Sequence, residues 1–144
     1  MTKTISGKTS AWPYIRERKD FITKSNNFWA KTYEDGYFIF SYRTCIAQYS
    51  DGVWYINDAT YSGETTQQMK QIMWALGPKF LRDNAIHVNY GIRGIQDLRL
   101  YVTGKVALQR VERIKKQGIE PGDSPYYKQY VSWTGKIDEK YSYV

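Results

Sequence analysis

The sequence predicts an α+β fold: a small antiparallel sheet containing a β-hairpin over 37–57, packed by helices over 65–76 and 105–117. Three observations predict it. Residues 37–49, YFIFSYRTCIAQY, are rich in aromatic and β-branched side chains and lack helical periodicity, which marks a strand. Asp51-Gly52 follows, and because a two-residue type I′ turn needs positive φ at both positions, 53–57, VWYIN, becomes the returning strand. Farther on, Met69, Ile72, Met73 and Leu76 fall at i, i+3, i+4 and i+7, one apolar stripe of a helix.

Taken in order, the first 31 residues are a Ser/Thr/Lys-rich lead followed by a short helix around Tyr14–Thr23, with Pro13 in its first turn. SNNFW then turns into a strand. Within 37–49, alternation puts Phe38, Phe40, Tyr42, Thr44 and Ile46 on the core face and Tyr37, Ile39, Ser41, Arg43 and Cys45 on the other. At the front of the 65–76 helix, Thr65 followed by Gln68 matches a capping box, and at its end Gly77 takes the C′ position with Pro78 blocking continuation. AIHVNY, 85–90, alternates as a strand, and GIQDLRLYV leans to helix. The 105–117 helix places Val106, Ala107, Val111 and Ile114 inward, with Lys105, Gln109, Glu112 and Lys116 outward, and Gly118 ends it. EPGDSP is a connector, and YYKQYVSW a last strand before a polar tail.

The length suits a single domain over 1–144, with a mobile lead over 1–12 and a polar tail over 135–144. One cysteine, Cys45, excludes an internal disulfide framework, and one histidine, His87, excludes a His/Cys zinc cluster. No cofactor is expected. No apolar run reaches signal-peptide or membrane-spanning length, so the expected setting is cytoplasmic, with no membrane partner. The net charge of +7 is segmental: residues 67–119 carry ten Lys and Arg against three Asp and Glu, whereas 32–66 carry one against five. Clustered positive charge of this kind attracts polyanions.

Ile46-Ala47, the hairpin after it, and Tyr61-Ser62-x-x-Thr65-Thr66 resemble a widespread group of small bacteriophage proteins, in which a strand ending in Ile-Ala leads to a Thr-Thr pair opening a helix. The similarity covers residues 37–76 and departs at Met69-Lys70, where the group has a Leu-Asn pair. The resemblance implies phage origin, hence the host cytoplasm, and a β-hairpin–helix unit; it implies no activity.

A nucleophile at Ser62, Thr65 or Thr66 needs a base within hydrogen-bond reach, and the only histidine lies in a strand pattern. Cys45, mid-strand beside Ile46, is placed as a small buried hydrophobe. Metal-dependent chemistry needs convergent acids, and no Asp-x-Asp or Glu-x-Lys grouping occurs. The chain is therefore expected not to be an enzyme. The residues expected to bind nucleic acid, DNA or RNA, are Lys79, Arg82, Arg93, Arg99, Lys105, Arg110, Arg113, Lys115 and Lys116, with Tyr90 and Tyr101 as stacking rings. Gly91-Ile92-Arg93-Gly94 has the spacing of a phosphate-clamping loop, although a simple turn explains it as well. The alternative is a protein-binding inhibitor of a host enzyme or anti-phage defence complex, anchored by the rings Tyr126, Tyr127, Tyr130, Trp133, Tyr141 and Tyr143. For charges on one helix, a solvated face is the bland explanation.

Overall fold

The computed structural model describes residues 3–5, 11–58, 63–89 and 94–118. Among the described residues the chain builds a seven-stranded mixed sheet whose strands lie in sequence order: β1 (Lys3–Ile5), β2 (Phe21–Thr23), β3 (Phe28–Tyr33), β4 (Gly36–Ser41), β5 (Thr44–Ser50), β6 (Val53–Asn57) and β7 (Ala85–Val88). Strands β2 to β6 form an antiparallel meander, while the edge pairs β1–β2 and β6–β7 are parallel. The fold is α+β as expected, but the sheet is larger than the small antiparallel one predicted.

Parallel pairs require crossovers, and each is helical. Helix α1 (Trp12–Arg16) links β1 to β2, and α2 (Gly63–Leu76) with α3 (Pro78–Asn84) links β6 to β7. Both crossovers step the same way across the sheet between strands of the same direction, so the right-handed rule puts their helices on one face. There α1 meets α2, with Trp12 N donating to Gln71 Oε1 at 3.3 Å. Beneath them, the inward side chains of the sheet include Phe21, Phe28, Ile39, Trp54 and Ile56, joined by Ile72 and Leu76 from α2. The opposite face buries Phe38, Phe40, Cys45, Tyr55, Ile86 and Val88 against Leu98 of a 3₁₀ turn, η1 (Leu98–Tyr101), and Val111 and Ile114 of α4 (Lys105–Gln117).

Burial of both faces corrects the one-sided assignment for 37–49: Phe38 and Phe40 are core, and so are Tyr37 and Ile39. Nor is 37–49 one strand. It breaks at Tyr42-Arg43, a two-residue turn in which Ser41 pairs with Thr44. Tyr42 there takes φ of 56°. The turn was illegible because its residues are strand formers, whereas left-handed backbone usually selects Gly, Asn or Asp. A register shift between Ile39 and Phe40 then leaves Ile46 bulged, so that Ile46 and Ala47 both face the α2 side of the sheet, opposite Cys45. Asp51 and Gly52, at φ of 54° and 79°, form the expected tight hairpin into β6.

The 65–76 helix is present with its stripe buried, but it starts at Gly63, so Thr65 and Gln68 are not a cap. They serve tertiary contacts instead: Thr65 Oγ1 and Ser41 Oγ lie 3.2 Å apart, and Gln68 Nε2 donates to the Asn27 carbonyl at 3.2 Å. Pro78, expected only to stop a helix, also opens α3, where its missing N–H costs nothing. The helix expected around Tyr14–Thr23 is the shorter α1, which ends before β2, with Pro13 in its first turn. β1 arises from a stretch expected to be a lead. GIQDLRLYV yields only the turn η1, because Cys45 N donates to the Ile95 carbonyl and Leu98 N to Gln48 Oε1, bonds that tie the segment to β5. The predicted last strand, YYKQYVSW, and the tail over 135–144 lie outside the described residues.

Candidate nucleic-acid interface

α4 follows the helical period from Lys105 to Gln117 and closes on Gly118 at φ 59° and ψ 30°, the left-handed C′ geometry. Ala107, Arg110, Val111 and Ile114 face inward. Val106, expected inward, is 71% exposed. It lies on the flank of the stripe, off the face that meets β6 and β7. On the outer side Lys105, Leu108, Gln109, Glu112, Arg113 and Lys116 line a solvent-open groove along the helix. Lys115 is also exposed. Four cations against one carboxylate thus occupy the exposed part of α4, and among the described residues none of the four forms an ion pair.

The other sequence-chosen cations are placed differently. Arg110 is only 8% exposed and donates through Nη2 to the carbonyl oxygens of Arg82 and Asp83, at 3.2 and 2.7 Å. It thereby satisfies acceptors left over at the C-terminal end of α3 and fastens α3 to α4. A guanidinium so held does not face a phosphate. Arg99 sits among three carboxylates, Asp35 and Asp97 at 2.7 Å each and Asp51 at 3.8 Å. Its hydrogen bond with Asp97, outweighing burial, holds the guanidinium above its ordinary value. Burial pushes the Asp97 carboxyl up, but bonds from Arg99 and Gln48 more than offset it and leave it below the usual carboxylate range. Lys79 and Arg82 both meet Asp83, at 2.8 and 3.3 Å, and together overcome the upward pull of burial on that carboxyl. Tyr101 is half-buried against the second core. Arg93, Tyr90 and the Gly-x-x-Gly loop up to Gly94 lie outside the described residues, as do the C-terminal rings.

Of the groups weighed for nucleophilic chemistry, Cys45 and His87 are held in structural roles, and Ser62 lies outside the described residues. Cys45 is fully buried, with Sγ 3.3 Å from the Ala47 carbonyl, and burial pushes its thiol well up from the ordinary value. His87 is also fully buried, with Nδ1 2.8 Å from Asp58 Oδ2 and Nε2 2.7 Å from the Leu81 carbonyl. Strand registers put Cys45 and His87 on opposite faces of the sheet, so they cannot form a nucleophile–base pair. Among the described residues, no three His, Cys, Asp or Glu side chains converge to hold a metal, and no helix is long and apolar enough to cross a membrane.

Two aromatic features escaped the sequence. On the β3–β4 face away from α2, Trp29 stacks on Phe40 at 4.2 Å and 17°, Tyr33 meets Phe38 edge-on, and Lys31 lies over the Tyr33 ring. At the end of the same strands, Tyr42 and Arg43 stand exposed at the β4–β5 turn. The signal for the first is the i, i+2, i+4 spacing of Trp29, Lys31 and Tyr33; the second carried none. Comparison with known protein families, with curated proteins and with solved structures finds no match to the chain.

Proposed function

We propose that the chain is a phage-encoded, non-enzymatic accessory protein of the host cytoplasm that binds nucleic acid through the exposed face of α4. The observation that carries this reading is the exposed charge of α4: Lys105, Arg113 and Lys116 line one groove and Lys115 stands exposed on its flank, with Glu112 the one carboxylate beside them. Lys105 and Lys116 fall close to one line along the rigid helix with Arg113 beside them, a fixed spacing of cations that can meet regularly spaced phosphates. Arg82 and Lys79, on α3, both engage Asp83 and are not among the cations that line this groove. In this reading Arg99, engaged by three carboxylates, and Arg110, engaged by two carbonyl oxygens, serve the fold, and the exposed cations of α4 carry the interface.

Binding of this kind depends steeply on salt, because each phosphate contact releases counterions. Replacing Lys105, Arg113, Lys115 and Lys116 together by Gln should lower the slope of log K against log salt by roughly 3 to 4 on duplex DNA. Wild-type protein that forms no complex with single- or double-stranded DNA or RNA at low salt refutes the reading.

One observation favours inhibition of a host protein instead: Val106 and Leu108, apolar side chains on the same helix as the exposed cations, are 71% and 53% exposed, and Leu100 of η1 is 75% exposed. Rings and aliphatic groups rimmed by charge suit a protein interface. Capture of a host protein after nuclease treatment, lost in Leu108→Asp, would select that reading.

A further inference from the structure

We propose that the β4–β5 turn is a base-stacking subsite, where Tyr42 takes one nucleobase of a single strand and Arg43 its flanking phosphate; this rests on the nucleic-acid reading above. A bulky residue at positive φ is a backbone outlier, and the fold carries one at Tyr42, φ 56°, although glycine would fit there without strain. The surroundings hold it in place. Tyr42 N donates to the Asn27 carbonyl at 3.0 Å, Trp29 Nε1 donates to the Tyr42 carbonyl at 2.8 Å, and Gln96 Nε2 donates to the Arg43 carbonyl. Gly94 N donates to Thr44 Oγ1 at 2.9 Å, which fixes the following residue as well.

What this scaffold holds is a ring aimed outward. Tyr42 is 58% exposed and is not part of either apolar core. It borders a cleft that, among the described residues, is lined also by Asn26, Arg43, Thr44 and Gly94. Asn26 is likewise at positive φ, 61°, so two irregular turns from neighbouring hairpins converge on one cleft. The chemistry assembled there is a π face, a guanidinium, an amide and a hydroxyl. Every nucleobase offers a flat face to a tyrosine, and its polar edge is within the repertoire of an amide. A paired base in a duplex has its faces covered by its neighbours, which makes an unpaired strand the fitting ligand.

Tyr42→Gly separates function from structure, because it removes the ring while relieving the backbone. The full chain and this variant are titrated by fluorescence anisotropy against labelled oligo-dT, oligo-rU and a hairpin duplex, alongside Arg43→Gln and Tyr42→Trp. Tyr42→Gly should melt a few degrees higher than wild type, bind both single strands roughly tenfold more weakly, and keep duplex affinity and salt slope unchanged. Tyr42→Trp should retain single-strand binding, and Arg43→Gln should reduce the slope on single strands by about 1. Should Tyr42→Gly lower stability, Tyr42→Asn, which also tolerates this backbone, takes its place. Wild-type affinity for single strands in the Gly or Asn variant overturns the subsite and leaves the α4 interface standing. Absence of any wild-type complex overturns both.

Discussion

Asp97→Asn tests whether Arg99 is a structural clamp rather than a ligand-binding cation. Asp97 Oδ1 accepts from Arg99 N at 3.0 Å, from Arg99 Nε at 3.0 Å and from Gln48 Nε2 at 2.8 Å, and Oδ2 accepts from Arg99 Nη2 at 2.7 Å. Asp97 and Arg99 side chains are 24% and 27% exposed, so the pair is screened only in part. The substitution keeps the shape and the Oδ1 acceptor but removes the charge from the fork. Bonds to charged groups contribute about 1.5–3 kcal/mol each, and with three weakened, one lost and some screening, the net cost should be about 2–3 kcal/mol. At this chain length that lowers Tm by roughly 6–12 °C. The sign with pH follows from the Asp97 carboxyl lying below the usual range in the folded protein. Its contribution is complete above the unfolded value of about 3.9 and fades as pH falls through the folded value. Urea unfolding followed by tryptophan fluorescence should therefore show a full gap between variant and wild type at neutral pH that narrows below about pH 4. A gap under about 0.5 kcal/mol at pH 7, or one that does not change on acidification, refutes the clamp.

Two further substitutions probe the same division of labour. Arg110→Ala strands the Arg82 and Asp83 carbonyl oxygens and opens a void beside α4, so it should cost about 2–4 kcal/mol in urea unfolding while leaving nucleic-acid affinity per folded molecule unchanged; a large affinity loss at intact stability would return Arg110 to the interface. Gly36→Ala places a Cβ against the Tyr49 carbonyl oxygen and Ser50 Oγ at φ 152°, and should cost upward of about 2 kcal/mol with strand β4 displaced, measured by thermal melting and by hydrogen exchange at the β4–β5 pair.

Legibility divided along physical lines. The tight turn at Asp51-Gly52, the β6 strand, the buried stripe of α2 and both ends of α4 follow from residues near one another in the chain, and sequence showed each of them. The turn at Tyr42-Arg43 did not show, because its backbone is imposed by distant groups, among them Trp29, Asn27 and Gln96. Of the candidate interface, Lys105, Arg113, Lys115 and Lys116 stand exposed on the surface where helical periodicity alone allowed them to be. Arg99 and Arg110 were chosen by charge, and charge is blind to the carboxylates and carbonyls that a fold brings to it.

By itself, then, the chain's order of residues determined the α+β class, the helical and hairpin units, and the concentration of positive charge after residue 66, since periodicity, turn chemistry and composition are local properties. Only the tertiary structure decided that two parallel crossovers widen the sheet to seven strands, that both its faces are buried, that Cys45 and His87 are separated by the sheet, and that a strained turn presents Tyr42 to solvent. Those outcomes depend on which groups meet across long stretches of chain, and that is settled by packing and hydrogen-bond satisfaction over the whole molecule.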